Sequence, residues 1–233
     1  MTRIRIVGLC LVGVLALSAG ASASASAELP EFVPANGEYE KRFTSHSTES
    51  YIEASGKRIL VCEVSENAGT LHLPKLLSLH ARFTGCVSPI LKKASCHTAG
   101  EPGVVLTRQL KGTVGYINKV TKEVGLSLTP PVAGGPLMVF TCGKVTIKIG
   151  EGTLAEGGKM GGDSVIATLG PTNFPRTQFG AEFHCELGKQ QVEMLEGGTR
   201  DTLEAKVGSG PWEEACLNYQ DRLTFEENLT LAA

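Results

Sequence analysis

One short motif holds a serine in a context that resembles a hydrolase nucleophile, Gly162-Asp163-Ser164-Val165. Gly-Asp-Ser before an aliphatic residue is typical of one esterase and lipase family, in which an Asp-x-x-His pair late in the chain supplies the general base. His184 is the only histidine after Ser164, and no aspartate lies three residues before it. The sequence therefore favours a glycine turn that leads into a strand, with Ser164 as an ordinary residue and no catalytic role.

A second group of residues combines two carboxylates with an imidazole. Glu182, His184 and Glu186 alternate along one segment, so on a strand they would share a face at intervals of about 7 Å. A general acid and base could be imagined there. The two glutamates would lie about 13 Å apart on such a strand, whereas glycosidase pairs lie about 5–9.5 Å apart. A solvated polar face is the favoured interpretation.

Ligands for metals and cofactors are sparse. The Gly-rich stretch that ends in Gly157-Gly158-Lys159 is one residue too long for a phosphate-binding loop, and Met160 replaces the hydroxyl that would hold magnesium. His72 and His80 could meet across a sheet, but the histidines show no metal-ligand spacing, and no Cys-x-x-Cys occurs. We predict neither a metal nor a cofactor. The histidines are His46, His72, His80, His97 and His184, and the aspartates are Asp163, Asp201 and Asp221.

The elements that must position these residues are β strands almost throughout. Apolar and polar residues alternate with period two in segments 77–84, 124–129, 145–149 and 179–187, which is typical of strands half buried against a core. Ser55-Gly56 suggests a tight hairpin turn. A short helical turn is expected at Pro211–Ala215, and Trp212 is expected to be a core residue. The sequence predicts an all-β, disulfide-stapled antiparallel β-sandwich or barrel. Further strands are expected at 39–45, 50–54, 58–65, 104–110, 112–117, 137–142, 190–195, 202–207 and 223–231.

The N-terminal region has the three parts of a secretory signal. Arg3 and Arg5 precede an apolar stretch from Ile6 to about Ala19, and the small residues Ala21–Ala27 follow. Cleavage after Ala27 would leave one β-rich domain, 28–233, with an extended arm at 28–38. A sub-boundary is possible in the Gly-rich stretch 150–162.

Charge and hydropathy argue against a nucleic-acid partner and against a membrane span. Removal of the signal takes away two arginines and no acid, so the net charge changes from −2 to −4. Nothing basic clusters beyond Lys92-Lys93, and a surface that binds phosphates must be basic, so we expect no nucleic-acid partner. No apolar run reaches about 20 residues, so we expect no membrane span.

Seven cysteines become six when Cys10 leaves with the signal. An even count in an exported chain predicts three disulfides, and six cysteines allow 15 pairings. Cys86 and Cys96 are close in sequence and are expected to form a local bridge. Cys185 and Cys216 are the two cysteines of the C-terminal third, which leaves Cys62 with Cys142.

Seven short segments spread over most of the mature chain form a distinctive set. They are Phe83-Thr84-Gly85-Cys86, 110–117, 124–130, Phe140-Thr141-Cys142-Gly143, 163–166, 195–198 and 201–205. The set resembles a group of exported, β-rich actinobacterial proteins with no known activity. The resemblance carries over no catalytic residue and implies that 163–166 is an ordinary strand. It also marks Cys185 and Cys216 as an addition to the group's pattern, which favours their mutual pairing.

These observations point to an exported, non-catalytic structural or binding module, secreted or associated with the cell envelope. Its partner would be a protein or envelope component that the sequence does not identify. One alternative is a secreted hydrolase whose carboxylates the sequence does not single out. Another alternative is a small-ligand carrier, which would need an apolar cavity inside a barrel.

Overall fold

The computed structural model describes residues 29–98, 100–150, 154–155, 159–160, 164–198, 200 and 202–233. Apart from a 3-10 turn at Pro89–Leu91, every regular element there is a strand, and no described helix is long and apolar enough to cross a membrane. The strands are β1 (Glu31–Pro34), β2 (Lys41–Ser47), β3 (Ser50–Ala54), β4 (Lys57–Cys62), β5 (Val64–Leu73), β6 (Leu76–Thr84), β7 (Val87–Ser88), β8 (Ala94–His97), β9 (Val105–Leu106), β10 (Leu110–Asn118), β11 (Glu123–Thr129), β12 (Met138–Cys142), β13 (Val145–Ile149), β14 (Leu154–Ala155), β15 (Lys159–Met160), β16 (Val165–Gly170), β17 (Pro175–Phe183), β18 (Cys185–Glu186), β19 (Lys189–Gln190), β20 (Glu204–Val207) and β21 (Trp212–Ala232).

Eight strands close into an antiparallel barrel, in the order β2–β5–β6–β10–β11–β16–β17–β21 and back to β2. The all-β prediction is confirmed, and of the two expected architectures the structure has the barrel. Each strand presents one apolar face inward, as in β6, where every second residue from Leu77 to Phe83 is buried. Closure leaves the barrel strands without a free edge along these pairings.

A second ring of pairings runs through the shorter strands, β3–β4–β7–β8–β12–β13–β20 and the start of β21. β21 meets its two neighbours on opposite edges. The Ala215 amide donates to the Leu203 carbonyl on the β20 side, and the Glu214 carbonyl accepts from the Ser55 amide on the β3 side. This second ring is therefore closed by the same strand as the larger barrel.

β21 is 21 residues long and belongs to both rings. Residues 212–218 pair with β20 and β3, and residues 219–230 pair with β17. The predicted strand 223–231 covers only part of it, and the predicted helical turn at Pro211–Ala215 is wrong. The apolar alternation at the start of β21 is weak because charged side chains occupy outward positions. The extended conformation of this part of the strand is therefore set by pairing with β20 and β3.

A cluster of phenylalanines fills the larger barrel. The Phe225 ring contacts those of Phe32, Phe43 and Phe179, with centroids 5.1–5.9 Å apart. One continuous cluster of buried residues contains these rings together with side chains of the smaller ring. Trp212 is half-buried at the start of β21, with Lys206 Nζ 5.9 Å from its ring, so its predicted place in the core is wrong.

The predicted hairpin turn at Ser55-Gly56 is confirmed. It joins β3 to β4, and both residues have positive φ, 47° for Ser55 and 71° for Gly56. Two successive positive φ values are those of a type I′ turn, whose twist matches that of the strands it joins.

Four cysteines stand side by side, on β4, just before β7, on β8 and on β12, and this row corrects two expected disulfides. The structure joins Cys62 to Cys86 and Cys96 to Cys142, with Cα–Cα distances of 4.0 Å, instead of Cys86 to Cys96 and Cys62 to Cys142. Cys86 and Cys96 are also neighbours, since the Cys96 amide donates to the Cys86 carbonyl at 2.9 Å. Cys62 and Cys142 lie at opposite ends of the row, too far apart to be bridged. The third bridge joins Cys185 to Cys216, as expected.

Two predicted segments differ from, or lie partly outside, the described structure. The strand expected at 190–195 is mostly irregular, and only Gln190 belongs to a strand, β19. Of the Gly-rich stretch 150–162, the described part is Gly150 and the two strands of the β14–β15 hairpin. This stretch joins β13 of the smaller ring to β16 of the barrel, one of several places where the chain passes between the rings.

Candidate functional site

The serine motif lies only partly within the described residues, because Gly162 and Asp163 fall outside them. Ser164 is buried just before β16, and its carbonyl accepts a hydrogen bond from Gln190 Nε2 at 3.5 Å. A nucleophilic serine needs a hydroxyl that the substrate can reach. Ser164 is buried and is held through its backbone carbonyl, as expected for an ordinary residue at the start of a strand.

The segment with Glu182, His184 and Glu186 does not form one continuous strand face, because β17 ends at Phe183. Glu182 and His184 do lie together, with 3.4 Å between His184 Nε2 and Glu182 Oε2, and both side chains are exposed. Glu186 belongs to β18 and accepts a hydrogen bond from Gln191 Nε2 at 3.4 Å. Glu182 therefore lies on β17, Glu186 on β18, and His184 between the two strands.

The histidines are dispersed. His80 lies opposite Ala68 in the β5–β6 register, while His72 contacts Glu40 at 3.0 Å and Ser78 at 2.8 Å, so the suggested meeting of His72 with His80 does not occur. Among the described residues, no three His, Cys, Asp or Glu side chains lie close enough to hold a metal ion.

A groove with polar side chains runs along the outer face of the barrel. Three adjoining pockets of about 820, 1020 and 590 Å³ share residues and follow one another across β6, β5, β2, β21 and β17. We call this feature the outer groove. Its outward side chains are Arg42, Thr44, His46, Glu66, Ala68, Thr70, Ser78, His80, Arg82, Gln178, Glu182, Gln220, Arg222, Thr224 and Glu226, with Gly180 between them.

Ionisable residues form a row across the middle of the outer groove. In the barrel register Arg82 lies opposite Glu66, Glu66 opposite His46, and His46 opposite Arg222. Arg82 also donates to Glu101 at 2.8 Å, outside the groove. Side chains that share a face on neighbouring strands are about 5 Å apart, so one ligand can contact several members of the row.

The same strands carry a polar cluster on their inward face. Asp221 Oδ2 accepts hydrogen bonds from Ser45 Oγ at 2.6 Å and from Asn67 Nδ2 at 2.8 Å, and Asp221 Oδ1 accepts from the Arg222 amide at 2.9 Å. Burial raises the pKa of Asp221, and these hydrogen bonds partly oppose the rise. Burial also raises the pKa of the neighbouring Tyr219 well above its ordinary value, and the Asp221 charge adds to that rise.

A second inward pair extends this cluster, since Ser47 Oγ and Ser65 Oγ lie 2.7 Å apart. No local motif in the sequence singles out these residues. The sequence signal that could have found them is their position in the strand alternation. Ser45 and Ser47 are two and four residues after the buried Phe43, and Asp221 is two residues before the buried Leu223, so all three occupy inward positions. Polar side chains at inward positions of a barrel mark a hydrogen-bonded network, because a buried polar group without a partner is costly.

The chemistry available in the outer groove is recognition by hydrogen bonds and charge. Hydroxyl, amide, guanidinium and carboxylate groups alternate along it, and the acid with a raised pKa, Asp221, hydrogen bonds on the inward side. Comparison of the chain with protein-family models, with curated proteins and with solved structures found no match.

Proposed function

We propose that this protein is an exported, non-catalytic binding module that holds a polar component of the cell envelope, or of a partner at the cell surface, in the outer groove. The observation that carries the proposal is the continuity of the groove across five barrel strands. Four interstrand spacings amount to about 19 Å, a length that suits an oligomeric ligand better than a single small molecule.

Three further observations support export. The first 27 residues have the composition of a secretory signal, and the six remaining cysteines form three bridges. Disulfides persist in oxidising compartments, and each typically stabilises a fold by about 2–4 kcal/mol. The resemblance to exported β-rich proteins supports the same location.

The two alternatives have less support. A hydrolase needs a perturbed acid or base facing its substrate. Asp221 belongs to a residue set that lines one of the groove pockets, but its side chain is buried and hydrogen bonds to Ser45 and Asn67. A small-ligand carrier needs an apolar cavity within the barrel, and the described interior there is occupied by the phenylalanine cluster around Phe225.

The experiment compares the location of three forms of the full chain in the producing cells. Cultures are cross-linked mildly and separated into medium, salt-washed envelope and cytoplasm. Wild type is compared with Ala68→Trp, which places a bulky side chain where two of the pockets join, and with Thr113→Trp, at an exposed position on β10 outside the groove.

We expect wild type and Thr113→Trp to cross-link to the same envelope component, and Ala68→Trp to appear in the medium. If all three forms are released without cross-links, the binding function is wrong. If Ala68→Trp is retained as well as wild type, the groove is not the binding surface. If the chain stays in the cytoplasm with its N-terminal segment intact, the export proposal fails.

A further inference from the structure

At one end of the outer groove two glycines leave a depression beside an arginine. Gly170 on β16 lies opposite Gly180 on β17, and Gly180 lies opposite Arg222 on β21, so the three form one cross-strand row. A side chain at Gly170 would meet nothing within 4 Å, and one at Gly180 would meet only the Gly170 carbonyl oxygen at 3.7 Å. The depression is therefore open space that no neighbouring side chain fills.

Two arginines belong to the lining of this depression. Arg176 and Gln178 reach it from β17, and Arg222 reaches it from β21, within a pocket of about 590 Å³. Arg176 Nε is buried and has no hydrogen-bond partner among the described residues. In the described part of the chain, no carboxylate lies within 4 Å of either guanidinium. Arg222 is exposed, so its guanidinium is the donor that a ligand in the depression can reach.

The remaining polar groups of the depression limit what can bind beside that oxyanion. Glu182 lies at the rim and contacts His184, and the Thr168 hydroxyl donates to the Glu182 backbone carbonyl at 3.2 Å. A carboxylate at the rim accepts hydrogen bonds from hydroxyl groups and repels a second negative charge placed next to it. The depression thus combines the exposed Arg222 guanidinium, with a second arginine in its lining, and an acceptor for neighbouring hydroxyls.

We propose that this depression, the arginine pocket (Gly170, Arg176, Gln178, Gly180, Glu182 and Arg222), binds the carboxylate or phosphate of a hydroxyl-rich ligand, that is, of an acidic glycan. Guanidinium groups bind such oxyanions through paired N–H donors in one plane. The inference rests on the proposed function, because it names the chemical class of the ligand that the outer groove would hold.

The test measures binding to the full mature chain by calorimetry at low salt. The probes are trigalacturonate for a carboxylate source, glycerol phosphate for a phosphate source, and maltotriose as a neutral sugar. Wild type is compared with Gly180→Val, which fills the depression, with Arg222→Gln, which removes the charge, and with Thr113→Val on the barrel's outer face away from the groove. Near-ultraviolet circular dichroism verifies that each variant is folded.

We expect one of the two anionic probes to bind wild type and Thr113→Val, and maltotriose to bind neither. Binding should weaken about tenfold or more in Arg222→Gln, the usual effect of losing a charge-assisted hydrogen bond. It should weaken similarly in Gly180→Val, and it should decline with added salt. Whichever probe binds identifies the source of the oxyanion.

Two results would overturn the inference: no binding of either anionic probe, or equal binding by wild type, Gly180→Val and Arg222→Gln. The fractionation experiment separates this failure from failure of the proposed function. If Ala68→Trp loses envelope retention while Gly180→Val and Arg222→Gln keep it, the binding module stands without an arginine pocket. If wild type itself is never retained, the function is wrong.

Discussion

Asp221 and Ser45 are 176 residues apart in the chain, yet Asp221 Oδ2 and Ser45 Oγ lie 2.6 Å apart on the inward side of β21 and β2. Asn67 on β5 donates to the same carboxylate oxygen at 2.8 Å, so three neighbouring strands share one acceptor. A cluster of this kind is satisfied only in one register, because sliding a strand by one residue would turn its polar side chain outward.

The first prediction concerns the pH dependence of stability. Burial raises the pKa of Asp221 above its ordinary value of 3.8, so the folded state holds the proton more tightly than the unfolded state does. The contribution of Asp221 to the free energy of unfolding is therefore greatest below that ordinary value and declines as pH rises through the raised pKa. Asp221→Asn does not ionise, so it should gain stability relative to wild type as the pH rises from 3.8 through the raised pKa.

Urea unfolding of both forms across that pH range measures the difference. Asp221→Ala serves as the comparison. It removes the acceptor of the Ser45 hydroxyl and one of the two acceptors of Asn67 Nδ2, which also donates to Ser45 Oγ at 2.8 Å, and it should cost about 1–3 kcal/mol at every pH. A difference between wild type and Asp221→Asn that stays constant with pH would show that Asp221 does not titrate differently in the folded state.

The second prediction follows from the row of four cysteines. In Cys62→Ala the Cys86 thiol is left beside Cys96, whose amide already bonds to the Cys86 carbonyl. The Cys86 thiolate can attack the Cys96 sulfur, which forms a Cys86–Cys96 bridge and releases the Cys142 thiolate. After refolding in a glutathione buffer, we expect a mixture of Cys96–Cys142 and Cys86–Cys96 bridges, measured by mass spectrometry of unreduced digests.

Cys185→Ala is the matched control for the cysteine row. It removes a bridge outside the row, so digests should contain the wild-type Cys62–Cys86 and Cys96–Cys142 peptides and no others from these four cysteines. Detection of Cys96–Cys142 alone in Cys62→Ala would mean that Cys86 does not reach its neighbour.

The third prediction concerns the phenylalanine cluster. Phe225 is 2 % exposed and contacts three other rings, so Phe225→Ala should lower the free energy of unfolding by about 3–5 kcal/mol. Phe174→Ala makes the same chemical change at a residue that is 62 % exposed and should stay within about 0.5 kcal/mol of wild type. Denaturant titration compares them, and equal losses would contradict the placement of Phe225 at the centre of the barrel.

The fourth prediction concerns the irregular segment that follows β19. Leu195 packs onto two glycines that face each other on β10 and β11, since a Cβ at Gly115 or at Gly125 would lie 2.8 Å from a Leu195 methyl carbon. The Glu196 amide is held there by the Tyr116 carbonyl at 2.7 Å. A Cβ at Gly125 would also lie 2.7 Å from Ile117 Cγ1, so Gly125→Val should displace both Ile117 and the Leu195 segment and speed hydrogen exchange of the Glu196 amide.

Leu195→Ala removes the apolar contact from the other side and should accelerate the same amide. Thr113→Val, at an exposed outward position on β10, should leave it as slow as in wild type. An unchanged hydrogen-exchange rate of the Glu196 amide in Gly125→Val would mean that Leu195 does not pack against the glycine pair.

Local pattern predicted much of the strand content. The alternation in 77–84 and 145–149 corresponds closely to β6 and β13, because one face of each strand is buried and the other is not. The Ser55-Gly56 turn was predictable for a local reason as well, since few residue pairs tolerate two positive φ values.

Strand order and cross-strand chemistry were not predictable in this way. Which strands pair is decided by contacts between distant segments, so neither the closed barrel nor the Cys62–Cys86 bridge has a local signal. The outer groove depends on register in the same sense: Glu66, His46 and Arg222 are unremarkable until pairing brings them into one row.

β21 also bears on the order of events when the chain folds. Both circuits of pairings are completed by residues 212–232, which are made after every other strand described. During synthesis neither ring of strand pairings can close until this segment has emerged, so both rings stay open while the chain is still growing. The last strand to be synthesised therefore closes both rings, and loss of its pairing would open both rings at once.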